Sequence, residues 1–190
     1  MKKLKQLTLL MSLIVSNLTL CDYMDIDYYA ESEAFFLDSS LRDAAKAGSK
    51  RDLAQLLEHG AEINSHDIYG RTALMQAIRY GHLDCVQLLA EKGAEITSPR
   101  DPYLPSRCNS NSTGFMVAAF FGKPDILDYL LGAYGPSTLF QRDCFGRTAL
   151  SIAKDGTKTR KDKELFKTCV DSIERSENLA TLTEDEDEDL

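Results

Sequence analysis

The sequence predicts an all-α protein, a solenoid of about four stacked helix-turn-helix units with β-turn fingers. Three observations carry this. The stretch DIYGRTALMQA, Asp67 to Ala77, returns almost intact as DCFGRTALSIA, Asp143 to Ala153. The rest of the chain aligns with these copies at a period near 33 residues. No residue cluster has the spacing of a catalytic site, and a catalytic signature is normally written once, whereas a structural unit has reason to recur.

In chain order, residues 1–21 come first. Lys2, Lys3 and Lys5 precede an apolar stretch from Leu7 to Cys21, interrupted by Ser12, Ser16, Asn17 and Thr19. It is short beside the ~20 apolar residues that span a bilayer, and it reads as a signal peptide. Two endings stay open. Cleavage after Cys21 would use Thr19 and Cys21 as small residues. Alternatively, Leu18 to Cys21 resembles a lipobox, with Cys21 the candidate lipidation site and Leu20 departing from the pattern. Residues 22–38 form an acidic, aromatic segment in which Phe35, Phe36 and Leu37 are expected to lie over the first unit.

The first unit, residues 39–66, reads as an N-terminal cap, with Gly48, Leu53 and Gly60-Ala61 one period ahead of Gly81, Val86 and Gly93-Ala94. In the second, residues 67–99, Thr72 is placed to cap a helix with its hydroxyl. Leu74 and Ala77 share one face of that helix, and Gly81 ends it where a left-handed backbone suits glycine. Val86, Leu88 and Leu89 then form the buried stripe of a second helix, each worth ~1.5–3 kcal/mol when fully buried. The third unit, residues 100–142, repeats Thr113, Ala118 and Gly122. About eight extra residues precede it, with Pro99, Pro102 and Pro105 among the residues there, and these predict a long loop on the β-turn edge. The fourth, residues 143–174, keeps the pattern only to Ala153. A polar linker is expected next, then a helix from about Lys161 to Glu174 with Leu165, Phe166, Val170 and Ile173 as its apolar side. An atypical last unit is what a capping repeat looks like. Residues 175–190 are expected to be a disordered acidic tail, since Glu184 to Asp189 are six consecutive acids.

The pattern D-x-x-G-x-T-x-L-x-x-A, then G-H, L-L and G-A, resembles the ankyrin repeat, over about residues 39–174. The resemblance implies a noncatalytic module that binds a protein partner on the concave side of the stack, through β-turn tips and the exposed side of the inner helices. Carried over position by position, that side holds Ile68, Tyr69, Arg71, Arg79 and Tyr80 in unit two, Ser110, Ser112, Phe120 and Phe121 in unit three, and Phe145 and Arg147 in unit four. Tyr80 and Phe121 fall at equivalent positions, so their rings are expected about 10 Å apart. Aromatic residues and arginine are the types that dominate binding hot spots.

The formal net charge is -8, which argues against nucleic acid or an anionic membrane as the main partner. A membrane enters only through a lipid anchor at Cys21. A basic protein partner fits this charge, so the alternative function is a secreted effector, or an inhibitor or immunity-type factor engaging such a partner through acidic tails. The chain is expected to be exported (periplasmic, surface-anchored or secreted), monomeric, and to use no cofactor and no metal. No CxxC or Cys/His cluster points to zinc. His82 belongs to the repeat, and Cys85 replaces a core residue. Cys108 and Cys144 align within one position on neighbouring turns. A disulfide between them needs Cα atoms ~4.4–6.8 Å apart, and free thiols are the other reading.

Overall fold

A computed structural model describes residues 34–97, 112–143 and 145–184, with side chains to Asn178. The chain forms α1 (34–47), α2 (Lys50–Glu58), α3 (Ala73–Tyr80), α4 (Leu83–Glu91), α5 (Gly114–Phe121), α6 (Pro124–Tyr134), α7 (Ala149–Thr159) and α8 (Lys163–Glu184). These pair as inner and outer helices of four units. Packing runs along the stack from α3 to α5 to α7, and separately from α2 to α4 to α6 to α8. The described residues contain no extended strand, only the bridges His66 to Thr72 and Thr97 to Thr113.

The inner helices start alike because threonine caps each of the last three. The hydroxyls of Thr72, Thr113 and Thr148 accept the backbone N–H groups of Met75, Met116 and Ser151. In α7 the Ser151 hydroxyl returns the favour to the Thr148 backbone N–H, a reciprocal cap that satisfies two otherwise orphaned donors. Gly81 and Gly122 end α3 and α5 at φ 85° and 60°, a left-handed turn that costs a residue with a Cβ more.

Small residues let the inner helices approach. Ala44, Ala77, Ala118 and Ala153 recur at one position of each unit and all are buried. Beside them Leu41, Leu74 and Phe115 form a second buried column. The outer helices add Leu53, Val86, Leu89, Leu127 and Leu130 to the same core. No single pair could bury so much apolar surface, which is why the units stack. Polar ties cross between units as well. The His82 ring donates to the Lys46 carbonyl (3.0 Å), the Glu95 N–H to Asn64 Oδ1 (2.9 Å), and the Tyr134 hydroxyl to the Ala94 carbonyl (2.6 Å). The structural part expected for His82 is thus a bond between units one and two. Cys85 is fully buried, as expected.

The ends of the stack differ from the sequence reading. The first inner helix starts at residue 34, so the acidic segment assigned to 22–38 overlaps a helix. Phe35 and Phe36 are 72% and 73% exposed, and only Leu37 packs on the core. At the other end the expected polar linker is helical, because α7 continues to Thr159. Gly156 inside it is buried, and a Cβ there would overlap the Phe166 ring, which seats α8 on α7. The apolar face of α8 is Phe166, Cys169, Val170 and Ile173, while Leu165 is exposed. Burial raises the Cys169 thiol to about 11, with Asp128 and Asp125 adding to the rise. That helix runs on to Glu184, so residues 175–184, expected in a disordered tail, are helical. Residues 1–33, 98–111 (the long loop) and 185–190 lie outside the described residues, as do Cys21, Ser110 and both Cys108 and Cys144.

Candidate functional site

Each copy of the D-x-x-G-R stretch folds into the same turn. In unit two, Asp67 Oδ1 accepts the backbone N–H groups of Tyr69 (2.9 Å) and Arg71 (3.0 Å), while Oδ2 accepts Arg71 Nε (2.7 Å) and pairs with its Nη2 (2.6 Å). Unit four repeats this with Asp143 Oδ1 on Phe145 (2.9 Å) and Arg147 (2.8 Å), and Oδ2 on Arg147 Nε (2.9 Å) and Nη2 (2.8 Å). Burial pushes both carboxyls up, but the arginine and backbone hydrogen bonds outweigh it and hold each below the ordinary carboxylate range. Each arginine also lies over the aromatic ring of its own turn, Arg71 over Tyr69 at 4.7 Å and Arg147 over Phe145 at 4.9 Å. Arg71 and Arg147, expected as recognition residues, thus also hold their turns together.

Between the turns and the inner helices runs a groove of about 350 Å³. Seven of the residues placed on the concave side by the sequence line it: Tyr69, Arg71, Arg79, Ser112, Phe120, Phe121 and Arg147. Tyr80 lines a neighbouring hollow of about 200 Å³ with Lys46 and Asp67. Ile68 and Phe145 lie on turn tips, 70% and 64% exposed, and line neither. The floor was not singled out in the sequence. It is made of Gln76, Val117 and Ile152, each four residues after its capping threonine, together with Met75 and Met116. Reading the copies in register would have found it, because that position holds Asp43, Gln76, Val117 and Ile152 in turn, while the next is alanine in every unit.

Tyr80 and Phe121 share one cation across units. The Arg79 guanidinium lies 5.5 Å from the Tyr80 ring centroid and 5.2 Å from that of Phe121. Phe121 then meets Phe120 edge-on at 5.0 Å. Phe120 is 42% exposed and Phe121 half-buried, so neither ring has folded into the core. Among the described residues there is no cluster of His, Cys, Asp or Glu able to hold a metal ion, and no helix long and apolar enough to cross a membrane.

Stacked helix pairs joined by glycine-ended turns, with a groove on the inner-helix side, define a repeat solenoid. Two family models identify its kind. Ankyrin repeats (3 copies) match residues 9–100, and Ankyrin repeats (many copies) match residues 76–131. The chain belongs to the ankyrin-repeat proteins. Its relatives include E3 ubiquitin-protein ligase XBAT33 of Arabidopsis thaliana, 39% identical over 53% of this chain and 18% of that protein. A transient receptor potential cation channel subfamily A member 1 homolog of Caenorhabditis elegans is 34% identical over 61% of this chain and 9% of its own length. Probable E3 ubiquitin-protein ligase XBOS32 of Oryza sativa subsp. japonica is 37% identical over 53% and 19%. The chain thus spans less than a fifth of the length of these relatives. What is shared is the repeat region, and ankyrin repeats are protein–protein interaction modules.

Proposed function

We propose that this chain is a noncatalytic binding module that takes a protein partner along the concave groove of units two to four. One observation carries the reading. The letters shared between copies build caps, turns and core, and where Arg71, Arg147, Met75 and Met116 also reach the groove they are joined by letters that differ between copies: Gln76, Val117 and Ile152 on its floor, Arg79, Phe120 and Phe121 along its side. A scaffold needs the first set, and a specific surface needs the second.

The test compares capture of a partner by the full chain with capture by a Tyr80→Ala/Phe121→Ala double variant. Loss of capture at an unchanged melting temperature supports the reading. Full capture by the double variant would move the interface elsewhere, and an unfolded variant would assign the rings to the core. Export is the second part of the proposal, and it rests on Lys2, Lys3, Lys5 and the apolar stretch from Leu7 to Cys21. The three-copy match begins inside that stretch, at residue 9. Cell fractionation with N-terminal mass analysis tests it. An intact N-terminus on protein held in the cytoplasm would end the export reading.

A further inference from the structure

Although the protein is acidic, with a net charge of -8, one stripe of its concave side is not. Lys46 Nζ lies 5.9 Å from the Tyr80 ring centroid, Arg79 faces both Tyr80 and Phe121, and the Arg160 guanidinium lies 4.6 Å from Phe120. Cation and ring alternate across all four units, from α1 to the end of α7. Among the described residues three carboxylates are held in ion pairs with other bases, Asp67 with Arg71, Asp143 with Arg147 and Glu174 with Lys154, and Asp43, which shares the hollow of Lys46 and Tyr80, is not paired with Lys46. Lys46, Arg79 and Arg160 have no carboxylate within ion-pair distance among those residues. A cation resting on a ring keeps its charge and is positioned without being neutralised.

We infer that this cation–aromatic ladder recognises an acidic, extended segment of the partner protein. The inference rests on the concave-groove reading above and names the chemistry of what binds there. Charge complementarity selects the segment, because an array of oriented cations steers and holds carboxylates and rejects basic chains. Geometry sets its spacing. Packed helices lie about 10 Å apart, and an extended chain rises about 3.3 Å per residue, so one unit matches about three residues. Lys46 and Arg79 are on adjacent units, while Arg79 and Arg160 are linked through Phe121 and Phe120 by steps of 5.2, 5.0 and 4.6 Å, which bring them closer than two helix spacings. The matching segment carries acids about three and then about four residues apart, with an apolar residue between the last two to meet Phe120 and Phe121. The net charge suggests a basic partner, but the sign that matters is local.

The experiment measures fluorescence anisotropy of labelled peptides against the full chain. The probe carries aspartates at that spacing with leucine between the last two and serine elsewhere. One control has asparagine for each aspartate, another has lysine. The aspartate peptide is expected to bind, and to bind more weakly as salt rises. The asparagine peptide should bind about tenfold more weakly, and the lysine peptide not at all. Arg79→Gln should cost about tenfold in affinity, equivalent to about 1.4 kcal/mol, with Lys46→Gln and Arg160→Gln costing less. Equal binding of the aspartate and asparagine peptides, both lost in the Tyr80→Ala/Phe121→Ala variant, would overturn the acidic assignment and leave the groove reading intact. Aspartate-peptide binding that ignores both Arg79→Gln and the aromatic variant would overturn both. Failure of the aspartate peptide to bind the full chain overturns the inference. If binding then appears once Asp185, Glu186, Asp187, Glu188 and Asp189 are replaced by their amides, the ladder belongs to this chain's own tail.

Discussion

The turns at Asp67–Arg71 and Asp143–Arg147 share their hydrogen bonds but not their surroundings. The Asp143 side chain is 4% exposed and that of Asp67 20%, while Arg147 is the more exposed arginine, 44% against 35%. The unit-four turn therefore rests on a carboxylate with almost no water to replace its lost partners. Its arginine, by contrast, can be rehydrated. Identical letters can thus differ in what they contribute. The largest expected effect follows from this. Asp143→Ala leaves the Phe145 and Arg147 N–H groups without their acceptor and should cost about 2 to 3 kcal/mol in urea unfolding. Asp67→Ala should cost about 1 to 2 kcal/mol, because solvent reaches its turn. The reverse order would show that local exposure does not set the cost.

The helix starts sharpen the same comparison at smaller scale. Thr148→Ala removes a cap whose partner Ser151 caps in return, whereas Thr72 acts through a one-way bond. Each should cost about 1 kcal/mol. Ser151→Ala should add to the loss at Thr148 by less than its own single effect, because the two bonds form one unit. Strict additivity in that double-mutant cycle would argue that the box contributes nothing beyond the single cap.

Acid titration probes both turns together. Asp67 and Asp143 are held below the ordinary carboxylate value of about 3.9. The folded state therefore binds fewer protons than the unfolded state as pH falls past that value. Their stabilising contribution is full above it and fades as pH falls through the lower folded values. Asp67→Asn and Asp143→Asn should each flatten the fall in stability between about pH 4 and pH 2. An unchanged slope in both variants would place the acid sensitivity in other carboxylates.

The sequence made the middle of the molecule legible and its ends less so, for a physical reason. Thr72, Thr113 and Thr148 announce helix starts because a hydroxyl in that place has a local job, and Gly81 and Gly122 announce ends in the same way. Nothing local announces that Gly156 continues a helix. Glycine ordinarily argues against that, and only the arrival of Phe166 from ten residues later explains it. Phe35 and Phe36 misled in the opposite sense, since hydrophobicity says what a residue gains from burial but not whether a neighbour exists to bury it. The candidate surface divides similarly. Turn tips and helix ends could be read from the repeat, but that Arg71 and Arg147 are tied to their own aspartates, and that Arg79 and Arg160 are not paired, required the third dimension.

The smallest effect on stability is expected at the aromatic ring each turn carries. Tyr69 and Phe145 occupy the same turn position, each under its own arginine, yet Tyr69 lines the groove and Phe145 stands on a tip outside it. Removing either ring takes away one exposed cation–π contact, worth about 0.5 to 1 kcal/mol at such a site, and opens no cavity in the core. Tyr69→Ala and Phe145→Ala should therefore unfold within about 0.5 kcal/mol of each other. Binding should separate them, with Tyr69→Ala weakening capture several-fold and Phe145→Ala leaving it nearly unchanged. Equal losses would extend the interface over the turn tips, and it would then follow the fingers of the repeat rather than the groove beneath them.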